Sequence, residues 1–494
     1  MSSREDGKGT ADRSGEGAGE SVPEGNRVGF RRLRGKIDGS NTLGGRSLSE
    51  LKRYYEDHYW APFTQMGDLS EEEPLVVVSG DGATVTSDRG KTYIDVHGGL
   101  WLANVGYGRG RIADAVYEQM KQLSWFPSFD GMANEAALRL AQRLVSMADR
   151  ENMNRVFFSS GGSEAIETAL KMTRQYWRLL GKQGKYKVIS RNRAYHGVSM
   201  GALSATGIAD NRKHFEPLVP GFRHIQPPYC YRCPYDLDIE SCGLTCAKEL
   251  ERTLLFEDPE TVAAFIGEPV MGAGGMLVPP DGYWQEIQRI CRKYDILLIA
   301  DEVVTAFGRT GEMFGSRHWD LVPDIMVFAK ALTSGYQPLG ATLVNEKIFS
   351  AYLGKYGEGR EFSHGTTYAG HPAACAAAWT NLDIIEEEGL VEEARAKGDY
   401  LLEKLRGLME IPVVGDVDGL GLMARLELVA DAENKTPFPA EQRSGSRVSE
   451  ELLGYNIILR PLGDTLTFSP PLVIEYGQID RIVDALAKIL GGWM

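Results

Sequence analysis

The sequence predicts an α/β protein, with a large domain on a mostly parallel sheet followed by a smaller α+β domain. Three observations carry this. The chain has 494 residues, beyond the size at which one hydrophobic core stops growing, so at least two domains are expected. From about Gly106 to Asn345, short apolar runs alternate with amphipathic helical stretches, which is the pattern of βαβ units and a parallel sheet. After Asn345 the texture shifts to longer helices with short strands between them.

Residues 1–46 are rich in Gly, Ser, Glu and Arg and hold almost no large apolar side chains. Such a stretch buries too little surface to offset its ordering entropy, so a disordered tail is expected. Residues 47–105 form an N-terminal segment expected to contribute to the small domain and to the site. It opens with an aromatic cluster from Tyr54 to Phe63, read as a pocket wall, an oligomer contact or a core edge. Hairpin-like pieces follow at Leu75–Ser79, Ala83–Ser87 and Thr92–Val96, split by Gly82 and by Asp88-Arg89-Gly90. Residues 106–345 make the large domain, with buried strands expected at Arg155–Ser159, Val188–Arg191, Ala263–Gly267, Ile296–Ala300 and Ile325–Phe328. Residues 346–494 make the small domain, with helices at Pro372–Glu387, Leu390–Leu408 and Ile479–Leu490.

A net charge of −14 leaves no basic surplus to displace counterions from phosphates, so nucleic-acid binding is not expected. No run approaches the roughly 18 apolar residues of a membrane span, and the N-terminus lacks a secretory apolar core. Six cysteines in so long a chain do not make a disulfide framework. The expected location is the cytoplasm.

Chemistry gathers at the ends of the predicted strands. Arg155–Ser159 runs into Ser160-Gly161-Gly162-Ser163 and then a helix. A helix N-terminus presents unpaired N–H groups and a partial positive charge, and glycines let the backbone approach an anion, so this turn suits a phosphate. By itself it is also just a good turn. The strand Ile296–Ala300 ends in Asp301-Glu302, where a carboxylate is costly unless a cation or donor meets it. The strand Ile325–Phe328 leads to Lys330, whose amine becomes a nucleophile if burial lowers its pKa. Alone, a lysine there commonly snorkels to water. A phosphate cradle, a carboxylate and a lysine at neighbouring strand ends match the phosphate, ring nitrogen and aldehyde of pyridoxal phosphate. Tyr195, in Ala194-Tyr195-His196-Gly197, stands where an aromatic could stack on a flat cofactor.

These residues resemble the class III aminotransferases of fold type I, and within them the omega-transaminase branch. The likeness runs from about Leu51 to the C-terminus. It is most specific in Leu298-Ile299-Ala300-Asp301-Glu302-Val303, Phe307-Gly308-Arg309-Thr310-Gly311 and Ala329-Lys330-Ala331-Leu332-Thr333-Ser334-Gly335. The resemblance implies a large domain of the seven-stranded type and a pyridoxal 5′-phosphate transaminase. It would move an amino group from an amine or amino acid to a keto acid, with pyruvate the expected acceptor. Lys330 would hold the cofactor as an internal aldimine and shuttle the proton, and Asp301 would pair with the ring nitrogen. Val303 and Tyr195 would flank the ring, Gly162 and Ser163 would bind the phosphate, and Glu268 would lie close by. Thr367, in His364-Gly365-Thr366-Thr367, would reach the partner subunit's phosphate, which implies a homodimer or a dimer of dimers with shared sites. Trp101 matches a substrate-pocket aromatic, with Trp60 and Phe63 as looser pocket candidates. The sequence departs from the family at Val417-Asp418-Gly419-Leu420-Gly421, where Asp418 replaces an arginine that often holds the substrate carboxylate. An acid there would repel that anion. Asp418 is therefore read either as a contact for a second, cationic amine or as an outward-facing residue.

An aminomutase or decarboxylase would share every cofactor residue, while a non-catalytic cofactor-binding protein needs neither Lys330 nor Asp301. Gly106-Tyr107-Gly108-Arg109-Gly110 lacks the spacing of a dinucleotide fingerprint. Cys230, Cys233, Cys242 and Cys246 have the spacing of a structural zinc knot but equally suit a packed surface loop, and no metal is assigned to the site.

Overall fold

The structure is a computed structural model and describes residues 48–67 and 74–493. The expected tail at residues 1–46 lies outside the described residues.

The N-terminal segment folds as an antiparallel meander, β1 (Val77–Asp81), β2 (Thr84–Ser87) and β3 (Thr92–Asp95). Gly82 and Gly90 take positive φ in the two turns, the backbone region glycine enters at no steric cost.

The main sheet comprises β4 (Met153–Ser159), β5 (Lys187–Arg191), β6 (Phe222–Ile225), β7 (Val262–Gly267), β8 (Leu297–Asp301), β9 (Ile325–Phe328) and β10 (Gly340–Asn345). Their spatial order is β4-β10-β9-β8-β7-β5-β6. Every neighbouring pair is parallel except those made by β10, which runs antiparallel to both β4 and β9. Every residue of β7, β8 and β9 is buried, so these strands read as continuous apolar runs instead of alternating ones. The helix Gly162–Leu179 lays Ala165, Ile166, Ala169, Leu170 and Trp177 on one face of the sheet, against Val188, Ala264, Ile299 and Val327. On the other face, Trp284, Ile287 and Ile290 of helix Tyr283–Lys293 meet Leu250 and Leu254 of helix Thr245–Glu257. Helices on both faces leave one exit for ligands, the edge at the carboxyl ends of the strands.

The C-terminal strands are β11 (Val414–Leu420), β12 (Met423–Leu428), β13 (Ile457–Ile458), β14 (Arg460–Leu462) and β15 (Thr465–Phe468). Four of them form an antiparallel sheet in the order β11-β12-β15-β14. Helices Pro372–Glu387, Leu390–Arg406 and Tyr476–Gly491 share one apolar core with that sheet. The fifth strand, β13, leaves this sheet and pairs in parallel with β3, Ile457 opposite Ile94 and Ile458 opposite Asp95. This pairing brings the chain after β13 against the chain after β3, and it matters for the site.

Candidate active site

The carboxyl ends of β4, β8 and β9 open into one cavity of about 440 Å³, walled by Gly162, Ser163, Tyr195, Asp301, Val303 and Lys330. Glu268, at the end of β7, and the loop residues Leu100 and Leu102 complete the wall. The three strand-end features expected from the sequence therefore face each other across one space.

Lys330 lies two residues beyond β9 and takes a positive φ of 44°, backbone that a non-glycine residue adopts only where its surroundings hold it. Its Nζ stands 5.1 Å from the centre of the Trp101 ring. Burial lowers its amine from 10.5 to about 8, working against the nearby carboxylates of Asp301 and Glu268. The lowered value makes the amine a nucleophile near neutral pH.

Asp301 is buried, and its Oδ2 lies 2.7 Å from His196 Nδ1. In this contact Nδ1 is the donor when the carboxylate is the acceptor, the pairing that leaves Asp301 free to face a cation. Oδ1 accepts the Val303 N–H at 3.1 Å. A buried anion so oriented keeps acceptor capacity for a cationic ring nitrogen. Glu268 accepts the N–H groups of Tyr195 (3.2 Å) and Gly272 (2.8 Å), and burial pushes its carboxyl upward. It thereby fixes the backbone that carries Tyr195.

The turn before helix Gly162–Leu179 is shaped by the absence of side chains. A Cβ on Gly197, whose φ is 123°, would lie 2.4 Å from Ser163 Oγ, and Ser163 Oγ accepts the Val198 N–H at 3.2 Å. The loop after β5 thus lies directly on the start of the helix, where free N–H groups suit a phosphate.

The remaining predicted site residues divide between this cavity and other places. Trp101 is buried beside Lys330. Trp60 and Phe63 are 86% and 69% exposed and are not brought to this chain's cavity. Thr367 is exposed on the chain surface. Asp418 requires a correction, because it does not line the cavity. It sits on β11 opposite Arg425 of β12, with its Oδ2 3.9 Å from the guanidinium. Arg425 also meets Asp416 and Glu427, so Asp418 belongs to an ion cluster on the small-domain sheet. The four loop cysteines line a separate space of about 20 Å³, room for about one water. Burial raises the thiols of Cys230 and Cys246 to about 11 and about 12, so both stay protonated. Among the described residues no group of three or more His, Cys, Asp or Glu side chains is placed to hold a metal ion.

The sequence reading missed Arg460. It is half-buried, and its positive charge acts on Lys330, His97 and Tyr195. Burial, Arg460 and Lys330 together hold His97 down at about 4, so its ring is neutral. Local spacing carries no signal for Arg460, because it reaches the site only through the β13–β3 pairing.

The class-III aminotransferase family profile matches residues 67–490. The adenosylmethionine-8-amino-7-oxononanoate aminotransferase of Geobacter sulfurreducens is 40% identical over 439 residues, 89% of this chain and 96% of that protein. The putrescine–pyruvate aminotransferase of Pseudomonas aeruginosa is 39% identical over 442 residues, 89% of this chain and 96% of that protein. The crystal structure of a thermostable (S)-enantioselective omega-transaminase from Thermomicrobium roseum superposes with a TM-score of 0.87 at 44% identity, covering 90% of this chain and 99% of that one. The cofactor of this family is pyridoxal 5′-phosphate, and the residues here fit it. The Gly162–Ser163 helix start suits its phosphate, the buried Asp301 its ring nitrogen, and the Lys330 amine its aldehyde. With likeness along nine-tenths of its length and a cavity of matching chemistry, the chain belongs to the class-III aminotransferases and is a pyridoxal-phosphate enzyme of fold type I.

Proposed function

We propose that the protein transfers the amino group of an amine or amino acid to a keto acid, with pyruvate as acceptor and Lys330 as the catalytic base. The observation that carries this reading is the Lys330 amine, lowered to about 8 and turned into a cavity that also holds the Asp301–His196 pair. When bound, the cofactor supplies an electron sink for the carbon that loses its proton. Lys330 takes that proton and returns it, a role that suits an amine near the working pH. Asp301, oriented by His196 and the Val303 N–H, keeps a negative charge against the ring nitrogen. Gly162 and Ser163 offer N–H and hydroxyl donors to the phosphate, and Tyr195 and Val303 flank the ring. Glu268 holds the Tyr195 backbone in place.

Arg460 is the cation available to a keto-acid carboxylate, since its charge acts on Lys330 and it is only half-buried, whereas Arg309 is fully buried and bonded to Leu422, Pro470 and Asn104. A guanidinium matches a carboxylate bidentately. Leu100 and Leu102 present an apolar wall, with the buried Trp101 beside Lys330, that favours amines or long-chain amino compounds. The names of the putrescine–pyruvate and amino-oxononanoate relatives support donors of that kind. The working unit in this reading is a homodimer, with the exposed Thr367 of each copy turned to the other's site.

The test follows the visible cofactor band of purified protein mixed with a panel of amines and amino acids. We expect the band to fall with an amine donor and to return on adding pyruvate, without carbon dioxide release. A band that no donor moves, or turnover with carbon dioxide release, would overturn the reading.

A further inference from the structure

Between β3 and Asn104 the backbone winds through four consecutive residues of positive φ. Gly98, Gly99, Leu100 and Trp101 stand at 58°, 69°, 132° and 63°. Leucine and tryptophan adopt such backbone only when neighbouring structure over-determines it, and residues held this way cluster at functional sites. One carboxylate does the holding. Asp95 Oδ1 accepts the N–H groups of His97 and Gly98, both at 2.9 Å. Its Oδ2 accepts the Gly99 N–H at 2.8 Å and the Tyr107 hydroxyl at 2.6 Å. No side chain fits at the two glycines, because a Cβ on Gly98 would lie 2.3 Å from Ser469 O and one on Gly99 2.9 Å from Tyr107 Oη. The far end is pinned by Asn104, which donates to Phe307 O at 2.8 Å and accepts from Arg309 at 2.7 Å.

What hangs between these anchors faces the chemistry. The Trp101 ring lies 5.1 Å from Lys330 Nζ, and Leu100 and Leu102 line the cavity. We propose that Asp95 is a positioning residue for the reaction, whose carboxylate holds the 97–102 strap in its left-handed winding and so sets Trp101, Leu100 and Leu102 against Lys330. The proposal rests on the transaminase reading above. An amide cannot replace this carboxylate, since one of its two oxygens becomes an NH₂ donor facing other donors. The strap keeps water from one side of Lys330, and burial is the largest influence lowering that amine. The charged groups around Lys330 are Asp301, Glu268, Arg460 and Arg309, with His97 neutral; none of them is substituted in the variants below, and Tyr107→Phe also keeps the Asp95 charge that acts on Arg309.

Two readouts test this on the full-length chain. The first is the pH dependence of Lys330 acylation after removal of the cofactor, followed by peptide mass spectrometry. The second is kcat and KM of the holoenzyme. Asp95→Asn is expected to raise the Lys330 labelling midpoint by about one pH unit as water enters. It is also expected to lower kcat/KM by about 10–100-fold as the wall loosens. Tyr107→Phe removes one of the four donors, is the milder change for folding, and is expected to shift both quantities the same way by less. A labelling midpoint that stays put in both variants would overturn the proposal, even if thermal stability and activity fall together, because that pattern assigns Asp95 to folding alone. Failure of the transaminase reading would look different, since the wild-type holoenzyme itself would then show no turnover while the labelling shift remained.

Discussion

At the scale of single residues, burial decides the protonation state of Lys330. The free amine is the form that captures an aldehyde, and it is charged below about 8. Capture of pyridoxal phosphate by cofactor-free protein should therefore quicken with rising pH and level off above about 8, as read from the growth of the visible band. The same shift has a stability consequence. Between about 8 and 10.5 the unfolded chain keeps the Lys330 proton that the folded chain has lost, so the Lys330 contribution to stability improves as pH rises through that window. With both proteins cofactor-free, Lys330→Met should be more stable than wild type below about pH 8, and its advantage should shrink toward 10.5. Thermal unfolding at paired pH values checks this, and a constant difference would refute it. Lys330→Met should also lose turnover by at least about a hundredfold. At Arg460, replacement by Gln should raise KM for pyruvate by about 10–100-fold, the usual worth of a charge-assisted hydrogen-bonded pair. The half-reaction with an amine that carries no carboxylate should be spared. An unchanged KM for pyruvate would exclude Arg460 from acceptor binding.

At the scale of the element, the site depends on loops lying close to one helix start. Gly197 belongs to the loop after β5, and its missing side chain lets that loop rest on Ser163. Gly197→Ala combines an unfavourable φ with a 2.4 Å clash, so the loop must move off the phosphate turn. Cofactor affinity should fall by about tenfold or more, equivalent to about 1.4 kcal/mol, measured by titrating cofactor-free protein. Wild-type affinity in this variant would show that the turn does not bind phosphate. The elements themselves were largely legible in the sequence. The strand expected at Ile325–Phe328 and the helix at Pro372–Glu387 form with those bounds, because continuous apolar runs and a Pro at a helix start are local signals. The expected strand Ile296–Ala300 is shifted by one residue and takes in Asp301, because the sheet's pairing, not the apolar pattern, ends the strand. The antiparallel strand β10 was not legible, since nothing local distinguishes a reversed buried strand from a parallel one.

At the scale of the whole molecule, the loop that follows β6 is fastened to the small-domain sheet by charge. Tyr229 and Arg232 bond to Glu427 of β12, and Arg425 links Glu427 to Asp416. Arg425 and Glu427 are nearly fully buried. Arg425→Met leaves Asp416, Asp418 and Glu427 without their shared cation, Glu427 keeping only Arg232, and should cost about 3–5 kcal/mol, as removal of one partner from a buried ion pair does. Unfolding in denaturant measures it, and a loss under about 1 kcal/mol would show that solvent already screens the cluster.

The sequence alone determined the residues that belong to local runs. Lys330, Asp301 and the Gly162–Ser163 turn each end a recognisable apolar strand, and parallel strands carry their ends to one edge of a sheet. Only the tertiary structure decided the second set. Asp418 looked free until β12 placed Arg425 opposite it. Arg460 and the Asp95-held strap reach Lys330 because β13 pairs with β3 across most of the chain. A side chain's partners across such a pairing depend on register, and register is set by the packed whole and not by any single segment.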